Sequence, residues 1–315
     1  MSFQRLRRAL LTAACLSPFL LAACGGESVE SEFRPSRVVA FGDASADAGQ
    51  RGTRYTVNNG GVIWTEQLAA RYGLAIAPSA TGGTSYAIGS ARVTARPDAS
   101  GSAATPTVTE QIDAFLGAGA PADGDLIVVS AGTADIIAEV AALNAAAQTQ
   151  AATTANVQQA GRDLGAQVQR LVDAGASHIL VVGPYNLGRS PWAAASGNAA
   201  YLQDLSTQFN NELLISIVDL GGKVLYADAA LHFNLVTANP AAYGFTDVGS
   251  VLCTSVDAGA GIGIGAGQVN SALCNAGTLS GGPTGTTLFA DPVYFTPAGH
   301  GSFGNYAFDR LRERW

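Results

Sequence analysis

Short runs of aliphatic and β-branched residues alternate along this chain with longer stretches in which apolar positions recur every three or four residues. Val38–Phe41, Leu126–Val129, Ile179–Val182 and Val224–Tyr226 are apolar on both faces. Strands look like this when a parallel sheet is covered by helices on each side. Ser85–Ile88 reads as a shorter strand. Helical periodicity covers residues 62–73, 107–117, 135–148, 153–174 and 198–221, with a last helix near 297–313. Strand and helix in repeated alternation predict an α/β fold, a three-layer α/β/α sandwich with a central parallel sheet. Ligand sites in such sheets lie beyond the carboxyl ends of the strands. Segments starting at Gly42, Thr84, Gly132 and Asp291 fall at such ends or on a late loop that can reach them.

The first residues have a different pattern. Arg5, Arg7 and Arg8 precede an almost wholly apolar run, Ala9–Ala23, the layout of a secretory leader and too short for a spanning helix. Leu21-Ala22-Ala23-Cys24 resembles a bacterial lipobox, in which the chain is cut before a Cys that carries the lipid; plain cleavage near Ala22-Ala23 is the alternative. Gly25 after Cys24, where Asp would argue for inner-membrane retention, favours the outer membrane or its periplasmic face. The expected organisation is therefore a signal peptide over 1–23, a lipid-anchored tether over 24–36 and one domain over 37–315. About 280 residues suffice for a single large core.

The leader holds three of the 17 Lys and Arg and none of the 24 acids, so 14 basic residues face 24 acidic ones in the remainder, a net charge of −10. That balance argues against nucleic acid as a partner, because phosphate binding needs basic patches. Once Cys15 and Cys24 are set aside, Cys253 and Cys274 remain on either side of a Gly-rich loop. In an exported chain this pair reads as a disulfide, with free buried thiols as the alternative.

The chemistry-bearing residues begin where the first strand ends. Arg37-Val-Val-Ala-Phe-Gly-Asp43 stops at a Gly-Asp turn, a place for a nucleophile, and the next residue is Ala44. Phe41-Gly-Asp-Ala-Ser-Ala-Asp-Ala-Gly49 resembles the first block of the GDSL or SGNH hydrolases, esterases and lipases whose serine follows Gly-Asp. Asn59–Trp64, Gly82–Gly89, Ser130–Asp135, Asn239–Phe245 and Leu288–Thr296 are similar to further blocks in the family's order. The resemblance spans Val38 to about Leu311 and implies the SGNH-hydrolase form of the flavodoxin-like sandwich.

It also implies a mechanism whose parts can be located. A serine hydroxyl attacks an ester, a histidine takes its proton, an aspartate orients the histidine, and backbone and Asn donors stabilise the oxyanion. The serine position is Ala44, the oxyanion Asn position is Ala134, and the histidine position is Tyr294, with Asp291 keeping the acid. The oxyanion glycine falls on Gly89 or on Ser90, depending on the alignment. Two substitutes are conceivable. Ser45 lies one residue late, which on a turn entering a helix rotates its side chain by about 100° away from the oxyanion donors. His300 follows Tyr294 by six residues, close to two helical turns, though a packing role suits it better. Tyr294 itself, with a phenol pKa near 10, is a poor base at neutral pH. Asp291 without a histidine reads as a cap or loop anchor, and His178 and His232 read as structural.

Gly259–Gly267 lacks the strand before it and the helix after it that would present amides to a phosphate, and reads as a flexible loop closed by the two cysteines. No His, Cys and carboxylate spacing suits a metal, no cofactor is implied, and there is no internal repeat or low-complexity tract beyond Ala-rich 138–156. The expectation is a monomeric envelope lipoprotein with an SGNH-like domain that has lost ester cleavage and binds an acylated, lipid or glycan ligand, or serves as a scaffold. The alternative is a weak carboxyl-ester hydrolase using Ser45 with His300.

Overall fold

A computed structural model describes residues 33–315; the leader and Cys24 lie outside the described residues. Four strands, β1 (Arg37–Gly42), β2 (Asp125–Ser130), β3 (Ile179–Val182) and β4 (Val224–Tyr226), form one parallel sheet in the order β1-β2-β3-β4. Ser85–Ile88 departs from the expected strand. It runs beside β1 with a single parallel bridge at Ala40 and bonds from Ala40 N–H to the Thr84 carbonyl and from Tyr86 N–H to the Ala40 carbonyl, without regular strand geometry. Counting that edge segment, the chain steps outward from β1 and then returns to β2 on its other side. The connections diverge between β1 and β2, which opens a crevice at their carboxyl ends.

The apolar runs are buried as their patterning demands: Val38–Phe41 and Leu126–Val129 are at most 1% exposed. Each fully buried aliphatic side chain contributes roughly 1.5–3 kcal/mol against solvation. One face of the sheet carries α2 (Val108–Ala118), α3 (Thr133–Asn144), α4 (Gln150–Asp173) and α6 (Ala199–Ile217). The other carries α1 (Trp64–Arg71), α7 (Ala229–Ala238) and α8 (Pro297–Arg314). A short α5 (Pro191–Ser196) precedes α6. Sequence periodicity did not predict α5 or α7. The first is too short for a period; the second, Ala-Ala-Leu-His-Phe-Asn-Leu-Val-Thr-Ala, is apolar nearly all round, with Leu231 and Leu235 exposed. Helix starts follow capping chemistry: Thr107 accepts from Glu110 N–H, Asp228 from Leu231 N–H and Thr296 from Gly299 N–H, with Pro297 at the first helical position.

Between α7 and α8 an irregular insertion holds β5 (Asp247–Val251), the two-residue pair β6 (Val256–Asp257) and β7 (Gln268–Val269), and β8 (Thr287–Phe289) parallel to β5. Cys253 and Cys274 are joined in a disulfide across it, with Cα atoms 5.9 Å apart. The Gly259–Gly267 loop is anchored where a free loop was expected. Ile262 is 2% exposed within the main core, and a Cβ on Gly263 would stand 2.2 Å from the Ala99 carbonyl oxygen.

Gly42 closes β1 at φ +143°, and a Cβ there would lie 1.8 Å from the Ser130 carbonyl oxygen. Gly42→Ala is therefore expected to lower stability by more than about 3 kcal/mol or prevent folding. Gly117, on α2 with open space around it, should give the opposite sign, Gly117→Ala stabilising by about 0.5–1 kcal/mol. Urea midpoints of the two variants check both.

Candidate active site

β1 and β2 pair in register from Arg37 with Asp125 to Gly42 with Ser130, so their carboxyl ends are level. Asp43, the next residue, is fully buried and is held from three directions. Its N–H donates to the Ser130 carbonyl at 3.1 Å; its Oδ1 accepts from Ser45 N–H at 3.1 Å and Ser45 Oγ at 2.9 Å; its Oδ2 accepts from Ala134 N–H at 3.3 Å, in the first turn of α3. A carboxylate at a helix amino end is favoured by the helix dipole and the unpaired N–H groups. Burial still pushes the Asp43 pKa up, against those bonds.

Around this turn the structure gathers the positions that the sequence singled out. Ala44 and Ala134 are 0% exposed and present methyl groups; Tyr294 is 4% exposed. The Tyr294 ring meets Tyr55 edge-on, centroids 5.2 Å apart, and burial holds its phenol well above the usual range. Tyr55 is the residue that sequence reading missed. A Cβ on Gly89 would come within 2.1 Å of the Tyr55 ring and 2.2 Å of its hydroxyl, so the phenol lies directly on Gly89. Nothing in the sequence marks Tyr55, because it sits in a loop outside every recognisable block.

The oxyanion candidates are committed elsewhere. Gly89 N–H donates to Asp47 Oδ2 at 2.8 Å, while Asp47 Oδ1 takes Gly49 N–H at 2.8 Å and Gln50 N–H at 2.7 Å. Ser90 is buried at φ +68°. Asp291 serves its loop: Oδ1 accepts from Val293 N–H at 2.8 Å and Tyr294 N–H at 2.7 Å, and Oδ2 from Ser271 N–H at 3.0 Å. Its burial raises its pKa to about 6 despite those bonds.

Ser45 and His300 do share a cavity, of about 30 Å³, with Ser130, Thr133 and Tyr185 on its wall. That is room for about one water molecule. Ser45 Oγ bonds to Asp43 and, at 3.1 Å, to Ser130 Oγ; among the described residues no imidazole is a hydrogen-bond partner of Ser45. His300, in the first turn of α8, is 1% exposed, and its Nε2 has no hydrogen-bond partner among the described residues. Burial lowers its pKa to about 4, outweighing a bond to the Tyr55 backbone, so the ring is neutral at pH 7. His178 stacks on Phe33 at 3.6 Å, and His232 bonds Ser302 Oγ at 3.0 Å; both are packing residues.

The family profile for GDSL-like lipase/acylhydrolase matches residues 38–306, and the chain belongs to that family. Among solved structures it is similar to Est24, a carbohydrate acetylesterase from Sinorhizobium meliloti, at 13% identity and TM-score 0.43, covering 87% of this chain and 97% of that one. It is also similar to the native M. smegmatis aryl esterase, again at 13% identity and TM-score 0.43, covering 89% of this chain and 99% of that one. No curated protein matches the chain.

The buried imidazole generates a pH prediction. A histidine whose folded pKa sits near 4 against 6.5 when unfolded gives stability that is present above pH 6.5 and lost as pH falls toward 4, up to roughly 3 kcal/mol. Asp291, with its raised pKa, acts in the opposite sense, so the comparison is between variants. Melting curves from pH 7 to about 4.5 should fall less steeply for His300→Gln than for the wild type; parallel curves would place the titration elsewhere.

Proposed function

We propose that this is a non-hydrolytic member of its family, a cell-envelope lipoprotein that works by binding. One observation supports the reading most: the positions for nucleophile, oxyanion Asn and base are two buried methyl groups and a buried phenol, and one candidate backbone donor, Gly89 N–H, is bonded to Asp47 beneath Tyr55. Each absent side chain does a separate job. Loss of nucleophile or base alone costs several orders of magnitude in rate, and the residual rate in such variants comes from an oxyanion hole. Here that hole has neither its Asn nor an accessible glycine amide. Ser45 does not replace the nucleophile, because its hydroxyl is engaged with a carboxylate and a second hydroxyl, without an imidazole to take its proton.

The surface offers a seat for a ligand outside this centre. A groove of about 860 Å³ follows the β1 edge of the sheet, lined among others by Gln50, Tyr86, Arg96, Glu110 and Gln111. The Tyr86 ring beside the partly exposed Arg96–Glu110 pair suits a polyhydroxylated ligand, whose hydroxyls need donors and acceptors and whose C–H faces pack on rings. A glycan, or a glycan bearing acyl groups, is the ligand class this lining favours. The lipid anchor at Cys24 would hold the domain at the membrane, facing the periplasm.

Three experiments test the reading. The wild-type chain should hydrolyse p-nitrophenyl acetate no faster than its Ser45→Ala variant; a large difference would make Ser45 a nucleophile. Restoring Ala44→Ser, Ala134→Asn and Tyr294→His together should still leave a folded, inactive protein. Adding Tyr55→Ala to that set should release activity at least tenfold above background. Activity in the triple variant without the fourth change would mean that Tyr55 does not obstruct the site. For binding, N-acetylglucosamine oligomers should raise the melting temperature of the wild type and not of Tyr86→Ala; no rise in either removes the groove as a glycan site.

A further inference from the structure

Phe33, the first described residue, is fixed at the amino end of the sheet. Its ring stacks on His178, just before β3, and stands edge-on to Trp315 at 6.1 Å. Lys223 is at the same end, its carbonyl accepting from Ile179 N–H, as is Gly221, whose carbonyl accepts from Arg314 Nη2. The two most exposed large apolar side chains of the described residues lead into Gly221. Ile215, 69% exposed, is near the end of α6, and Val218, 70% exposed, begins the short turn Val218–Leu220. Arg34, Lys223, Arg312 and Arg314 are exposed at or beside this end, and Lys223 is the chain's only lysine. Exposed acids at this end include Asp123 before β2, Asp173 at the end of α4, Asp219 on that turn and Glu313, which is paired with Arg310. A chain that is strongly acidic as a whole thus places cations and bare aliphatic groups together where its tether leaves.

Phe33 follows Cys24 by nine positions, a span of at most about 30 Å when fully extended. A lipid on Cys24 would keep this end of the domain, and not the carboxyl ends of the strands, within reach of the bilayer. Tethering of this kind makes even a weak surface contact effective, because the contact becomes intramolecular. Basic groups near an anionic surface and aliphatic side chains at the headgroup boundary are the two contributions such contacts use.

We propose that the amino-end face of the sheet docks on a bilayer containing anionic phospholipid. Ile215 and Val218 enter the headgroup boundary, and Arg34, Lys223, Arg312 and Arg314 meet lipid phosphates. The proposal rests on the lipoprotein reading above. Docked this way, the crevice between β1 and β2 points away from the membrane.

The test uses the mature chain reconstituted in phosphatidylethanolamine–phosphatidylglycerol vesicles, with an environment-sensitive dye on Ile215→Cys, Val218→Cys or, as control, Leu231→Cys in the first turn of α7 at the opposite end. Dye at 215 and 218 should shift to the blue and be quenched by bromine-labelled acyl chains, while dye at 231 should do neither. Equal, unquenched emission at all three positions on vesicle-bound protein overturns the docking face. The mass of the N-terminal peptide reads the anchor separately: no diacylglycerol on Cys24 removes the lipoprotein reading. In that event, cosedimentation of the same chain with these vesicles must fall at least fivefold in Ile215→Asp/Val218→Asp, and equal binding by both overturns the face on its own.

Discussion

A single buried carboxylate organises the crevice of this domain. Asp43 has no cationic partner among its hydrogen bonds; it is held by two backbone N–H groups and one hydroxyl, and its own N–H reaches the neighbouring strand. Such a group costs free energy unless every lone pair is satisfied. The end of β1, the carbonyl of Ser130 and the first turn of α3 must therefore keep their relative positions. Gly42 permits that approach, since no side chain fits between it and Ser130.

On the proposed reading, this constraint lets the centre keep its frame with alanine and tyrosine at the catalytic positions. The geometry that Asp43 imposes is made by backbone amides and survives with alanine at 44 and 134. Tyr55 and Tyr294 pack in this region edge to face. The ring of Tyr55 packs on Gly89, and the Gly89 N–H donates to Asp47. Family membership records the frame; activity depends on the groups mounted in it.

Much of the frame was legible in the sequence because burial on both faces of a parallel sheet leaves unmistakable apolar runs. Val38–Phe41 and Leu126–Val129 needed no context. The misses have physical causes. Helix α7 has no polar face to give it a period, and Ser85–Ile88 gains edge pairing from Ala40 without the regular dihedrals that its composition suggested. Ile262 pins a loop that seven glycines or alanines in nine residues made look free. At the site, motif spacing singled out Ala44, Ala134 and Tyr294, whereas Tyr55 had no such signal, since its contact with Gly89 is long-range. The shared cavity of Ser45 and His300 could only be guessed, and the Asp43 bond that occupies Ser45 has no sequence signature.

The central claim, a sealed centre without a usable nucleophile, is tested most directly by treating the folded wild-type chain with a reactive fluorophosphonate and mapping adducts by peptide mass spectrometry. The account predicts no phosphonylated serine above the level of a denatured control. A stoichiometric adduct on Ser45, abolished by His300→Gln, would contradict it.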